Sequence, residues 1–192
     1  MPRGTYQYDD GAREVFSCAP GVSGWRYVSQ TYDASGDALG RVDVTVDEAW
    51  RQVRVQVASG EWTLRGGVVG PDVVWVRGES EEQTQVAAGF TGRSPAFAIV
   101  TARLLALDLL DRRRVRLVGV TEPALATLPV DEGWALVDVT EHETDLGALP
   151  VRRYEVADLT TAERRVVHLA GDVLLEGPGV ELVDLESPPN LT

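Results

Sequence analysis

Two periodicities divide this chain. From Gly24 onward, apolar and polar residues alternate in short runs, the period-two signature of strands with one buried face. The runs are "GWRYVSQTY" (24–32), "RVDVTV" (41–46), "AWRQVRVQV" (49–57), "EWTLRG" (61–66) and "DVVWVRG" (72–78). Turn chemistry separates them: "DASGDALG", a Ser59-Gly60 pair and a Gly-Pro break. Short alternating runs joined by tight turns predict an antiparallel meander. An acidic stretch, 78–85, then reads as a solvated loop.

The period changes once. Ser94 is a fitting N-cap, Pro95 suits the first helical position, and Phe97, Val100, Leu104 and Leu107 follow at helical spacing. This predicts a helix over 95–111. The run "RRRVR" (112–116) reads as its cationic end leading into a strand, with nucleic-acid contact as the weaker reading. Period two then returns at 115–121, 133–143, 151–158, 164–171, 172–177 and 180–186. Segments 54–67 and 165–179 share a strand, a Gly-acid turn, a second strand and a Gly-rich exit, a weak internal repeat.

The expected architecture is therefore mainly β: two hairpin-rich halves making one curved antiparallel sheet, a half-open barrel wrapped around a central helix. A large sheet needs cover for its apolar face, and this helix is the available cover. One domain is expected over 24–186, with 1–23 a loosely held arm and 187–192 a frayed tail.

One strand breaks its own pattern. In 49–57, Val53, Val55 and Val57 share one side and Gln52, Arg54 and Gln56 the other, which puts Arg51 with the valines and Trp50 with the polar set. Either that side is not a closed core, or a bulge at Trp50 and Arg51 switches sides locally.

Composition narrows the chemistry. The chain has 192 residues, enough for a substantial core, and a net charge of −12 from 18 basic and 30 acidic residues. All the basic residues are arginine, which removes lysine Schiff-base chemistry. The negative balance argues against a phosphate backbone as the main partner, so no nucleic acid is expected. Cys18 is the single cysteine, so there is no intrachain disulfide and no thiolate zinc cluster. "MPRGTYQYDD" has no apolar leader region, and the longest apolar stretch, 96–110, contains Arg103 and Asp108. No transmembrane segment is expected, and the expected compartment is the cytoplasm.

Catalytic readings are thin. There is no Gly-x-Ser-x-Gly elbow and no standard phosphate loop, and Cys18 reads as a small buried residue. The best metal candidate is "EHETD" (141–145) with His168, but alternation would put Glu141 and Glu143 on one strand face and His142 on the other. No metal and no cofactor is expected, and the chain reads as a non-enzyme. The rivals are an enzyme using His142 or His168, and an interaction domain whose hollow is filled by its own helix.

The aromatic residues point elsewhere. Trp25, Trp50, Trp62, Trp75 and Trp134 all fall on expected strands. Singly each is a core residue; together with arginines they suggest a concave surface for an amphipathic ligand, with arginine anchoring a phosphate, sulfate or carboxylate.

These residues also resemble a known family. Trp50-Arg51 followed by alternating valines, Trp75, Pro95, Arg103-Leu104, Tyr154 and "GDVLLEGPG" (171–179) follow, over 24–185, the order seen in the glycolipid-binding family. The fold of that family is similar to the bacterial lipoprotein-localisation carriers. The chain departs from its pattern near Ala98, where the family tends to have Asn, and at Gly177, where it tends to have Tyr. The resemblance implies a half-open barrel around a helix and a lipid-like ligand. The combined expectation is non-catalytic binding of an amphipathic small molecule, a lipid or glycolipid. Arg51 and Arg103 would anchor its head, and Trp50, Trp62, Trp75, Phe97, Trp134 and Tyr154 would line or flank the hollow.

Overall fold

The computed structural model describes residues 1–21, 24–145 and 147–191. In them one antiparallel meander runs through β1 (Arg3–Tyr8), β2 (Arg13–Gly21), β3 (Gly24–Tyr32), β4 (Ala38–Val46), β5 (Gln52–Ser59), β6 (Trp62–Val69), β7 (Asp72–Arg77) and β8 (Gln83–Val86). Then come β9 (Phe90–Thr91), the helix α1 (Pro95–Leu105) and β10 (Arg112–Thr121). A second meander follows: β11 (Ala126–Thr144), β12 (Gly147–Asp158), β13 (Arg164–Ala170), β14 (Val173–Gly177) and β15 (Val180–Leu185).

The strands form a single sheet in the order β8 through β1, then β15 back down to β9. The meanders thus join through β1 and β15, the short 87–89 link joins the two far edges β8 and β9, and α1 connects β9 to its neighbour β10. Every pairing is antiparallel except β9 with β10. The sheet is large, curved and unclosed, with one helix inside, as the alternation predicted.

The first 21 residues correct the sequence reading. They are no loose arm: β1 and β2 lie in the middle of the sheet with Tyr6, Tyr8, Phe16 and Cys18 buried; 22–23, the end of that expected arm, lie outside the described residues. The tail is also tied down. Asn190 donates from its backbone and side chain to Asp172 at 2.8 and 2.7 Å, and its carbonyl crosses Gly171 so closely that a Cβ there would sit 2.1 Å away. Residues 83–85, expected in a solvated loop, belong to the edge strand β8.

The helix is shorter than its spacing predicted. Ser94 caps it and Pro95 opens it, but Ala106 adopts a left-handed conformation (φ 45°) and its N–H closes on the Ala102 carbonyl. The arginines at 112–114 therefore begin β10 instead of ending the helix. Apart from Ala98, Arg103 and Leu104, the residues of α1 are buried, the signature of a helix enclosed on most sides.

What pins the helix is a carboxylate. Glu14, 1% exposed, accepts hydrogen bonds from the hydroxyls of Tyr8 (2.5 Å), Tyr27 (2.7 Å) and Ser94 (2.6 Å). Its charge faces the positive end of α1, where Ser94 also accepts from Ala96 N–H. A buried charge is tolerated only when donors surround it, and here β1, β3 and the N-cap supply them.

The Trp50-Arg51 puzzle resolves as a side switch. Trp50 has φ 61° and packs on the core, while Arg51 turns outward. The register then slips between β4 and β5: Thr45 pairs with Arg54 and Val46 with Gln52, leaving Val53 bulged and 47% exposed. Gln52, expected outside, is buried and clamps the Phe90 backbone, donating to its carbonyl at 2.9 Å and accepting from its N–H at 2.7 Å. A side chain thus ties β5 to β9 where no strand ladder does.

Two outcomes test this account. Glu14→Ala strands three buried hydroxyls and costs about 3 kcal/mol or more of unfolding free energy by denaturant titration, with Glu14→Gln costing less because it keeps an acceptor. Ala106→Gly relieves the left-handed cap and stabilises by roughly 0.5–1 kcal/mol in the same assay.

Candidate functional site

The helix fills the middle of the hollow and leaves a cavity at each end. The cavity at the N-terminal end is about 410 Å³ and includes Tyr8, Arg93, Ser94, Trp134 and Arg165 in its walls. Its arginines are committed. Arg93 stacks 4.1 Å over Tyr8 and pairs with Asp10 at 2.7 Å, and Arg165 pairs with the buried Glu132.

The cavity at the C-terminal end is about 380 Å³ and differs in charge. Alternation along β12 sends Pro150, Arg152 and Tyr154 to the inner face, and the last turn of α1 adds Arg103. Trp50, brought in by the side switch, forms one wall; Leu107, Leu169 and Leu191 supply apolar surface. Arg103 lies 4.7 Å over the Trp50 ring, a cation–π contact that holds it across the cavity. Neither Arg103 nor Arg152 has a carboxylate within ion-pair distance among the described residues.

The nearest buried carboxylate is already occupied. Asp172 accepts from Trp25 Nε1 at 2.9 Å and from Asn190, and the Cys18 thiol lies 3.5 Å from it. Partial burial pushes the Arg103 pKa down, with Asp172 opposing, yet a guanidinium stays charged at neutral pH. Burial raises the Tyr154 phenol and Arg152 and Arg103 oppose it, so the hydroxyl stays protonated beside two cations. Two guanidinium groups and a phenol on an aromatic-walled cavity present the kind of donors that pair with an anionic group, beside apolar surface.

Of the residues singled out from sequence, Trp50, Arg103 and Tyr154 meet in this cavity. Trp134 stands behind Tyr154 in edge contact at 5.8 Å, donates to Glu132 at 2.7 Å and lines the opposite cavity. Phe97 and Trp75 are core residues, the latter edge-on to Phe90 at 6.1 Å. Trp62 is 42% exposed under the Arg77 guanidinium. Arg51 does not join this cavity: turned out by the switch at Trp50, it pairs with Asp47 at 2.7 Å and lines a separate, more open groove of about 960 Å³ beside Leu104 and Leu105. Arg152 was passed over, although its position two residues before Tyr154 on one strand face is the signal that finds it.

The histidine readings do not converge. His142 is exposed near the end of β11, while His168 faces Glu176 at 3.3 Å. They lie two strands across and four residues along, on the order of 15 Å apart. Among the described residues no group of three or more metal-ligating side chains is assembled.

No family model and no curated protein matches the sequence. Among solved structures, the chain is similar to the crystal structure of a DUF1089 family protein from Pseudomonas aeruginosa, with a TM-score of 0.56 and 17% identity over 93% of this chain and 91% of that one. That likeness concerns the fold. No helix among the described residues is long and apolar enough to cross a membrane.

Cys18 gives a clean check on the packing behind the cavity. Burial first, then Asp172, pushes its thiol well above the ordinary range. A thiol reagent such as Ellman's should therefore leave the native protein unmodified and titrate one thiol after denaturation; rapid native labelling contradicts the closed packing around Asp172.

Proposed function

We propose that the protein binds an amphipathic small molecule without transforming it, at the C-terminal end of its internal helix. The observation that carries this reading is the pair Arg103 and Arg152, without an ion pair among the described residues, on the same cavity as Trp50 and Tyr154. The anionic head, a phosphate, sulfate or carboxylate, lies between the guanidinium groups; the hydrocarbon lies against Trp50, Leu107, Leu169 and Leu191. The resemblance to the glycolipid-binding family points the same way. The proposal places this binding in the cytoplasm and assigns the chain no chemistry of its own.

The helix limits the guest. With α1 filling the middle of the hollow, a cavity of about 380 Å³ takes a short or single-chain amphiphile, with any longer tail reaching past the rim. The test is twofold. Organic extraction of purified protein followed by mass spectrometry should return an anionic amphiphile. A fatty acid and a lysophosphatidic acid should each raise the melting temperature, by the equivalent of about 2.7 kcal/mol at a hundredfold excess over Kd, and a neutral monoacylglycerol should not. Arg103→Leu with Arg152→Leu should remove that gain and leave the unliganded protein folded. An empty extract together with no thermal response to any of the three returns the fold to the reading of a self-filled core.

A further inference from the structure

The run at 112–114 has a second property that its place in β10 makes visible. Pairing registers put Arg114 opposite Gly133, Gly133 opposite Ala157, and Ala157 opposite Arg164, so these four share one row across β10, β11, β12 and β13. Trp134 and Val156 occupy the neighbouring inward row, so this row faces out. In the next outward row Arg112 stands opposite Ala135. Three arginines thus surround a floor of Gly133, Ala135 and Ala157, a shallow depression of about 390 Å³. Leu159 packs across Gly133 and shares this depression.

These arginines lack partners in a molecule rich in acids. Arg112, Arg114 and Arg164 are all exposed and make no ion pair among the described residues; what sets them apart from the other unpaired arginines is that they cluster around one depression. Of the acids alongside, Asp131 pairs with Arg116 at 2.8 Å and Glu155, itself in the wall of the depression, with Arg153 at 3.6 Å, while Asp111 and Glu163, adjacent in sequence to Arg112 and Arg164, are exposed.

Apolar side chains sit beside them. Leu109 and Leu110, immediately before β10, are 54% and 76% exposed. Leu110 is held at φ 73°, a conformation disfavoured for leucine, by a bond from its N–H to the Leu136 carbonyl at 2.8 Å. An exposed leucine on a fixed, strained backbone next to unpaired arginines serves no packing role in the fold.

We propose that this rim, with Arg112, Arg114 and Arg164 against phosphates and Leu109 and Leu110 in the headgroup layer, docks the protein on an anionic lipid bilayer. The pairing of charge with insertable side chains decides the occupant, since nucleic acid offers the leucines nothing. The residues lie outside the cavity at the helix C-terminus, so the inference stands apart from what that cavity holds.

Vesicle co-sedimentation tests it against the protein's own charge. A protein of net −12 should be repelled by anionic vesicles; with this rim it should instead bind phosphatidylglycerol-containing vesicles in preference to pure phosphatidylcholine, and release as salt rises. Removing each arginine should lower partitioning about fivefold, so R112Q/R114Q/R164Q should lose on the order of a hundredfold, and L109S/L110S about tenfold. Circular dichroism melts should show both variants folded. Absence of binding to anionic vesicles, equal binding by the triple variant, or full displacement by inorganic phosphate at matched ionic strength overturns the proposal. Because the vesicles report on residues outside the cavity, such a failure leaves the amphiphile reading to its own test.

Discussion

The arrangement turns on one buried carboxylate. Glu14 is reached by hydroxyls from β1, β3 and the helix N-cap, and this is the polar link between sheet and helix start. An isolated carboxylate in such surroundings would cost many kilocalories per mole by desolvation alone; three donors and the positive end of α1 make it tolerable. The requirement also runs the other way. Tyr8, Tyr27 and Ser94 need an acceptor, so β1, β3 and the helix can satisfy their hydroxyls only in one relative placement. Apolar packing alone would let a helix as uniformly apolar as α1 rotate or slide; the carboxylate fixes it.

With its start fixed, the helix determines what remains of the hollow. Its eleven residues reach about 16 Å, and the left-handed turn at Ala106 stops it short of the far rim. Past that stop the inner residues of β12 and the side-switched Trp50 face open space, and Arg103 bridges to them. The two ends therefore differ in origin. At the start, charges were brought together to hold the helix; at the finish, charges face a space that the helix does not enter.

How much of this could be read from the chain depends on what the inward residues are. In β3 through β7 and β10 through β15 valines, leucines and aromatics alternate with polar groups, and the expected strand positions fall within a few residues of the observed ones, except that β11 begins at Ala126, well before the expected 133. In β1 and β2 the inward set is Tyr6, Tyr8, Glu14, Phe16 and Cys18, while Val15 faces out. Hydroxyls and a carboxylate on the inner face hide the alternation, so the centre of the sheet looked like an arm. Arg51 failed for a different reason: one extra residue in a strand reverses faces, and no propensity marks where it is inserted. For the site, Trp50, Arg103 and Tyr154 were legible as residue types. That Arg152 joins them, and that Trp62 and Arg51 do not, depends on register.

The charges sort the molecule further. Each fully buried carboxylate is supplied from within: Glu14 by three hydroxyls, Glu132 by Trp134 and Arg165, Asp172 by Trp25 and Asn190. The converse does not hold for the arginines. Among the described residues Arg103 in the cavity, the exposed Arg152 at its rim, and Arg112, Arg114 and Arg164 on the outer face of the same half of the sheet make no ion pair although acids outnumber arginines across the chain. A guanidinium at the surface can be satisfied by water, but one stacked on a tryptophan in a partly enclosed cavity gives up part of that hydration. On the proposed reading its compensation comes from the anionic head that enters, and Arg103 is the residue where that demand is greatest.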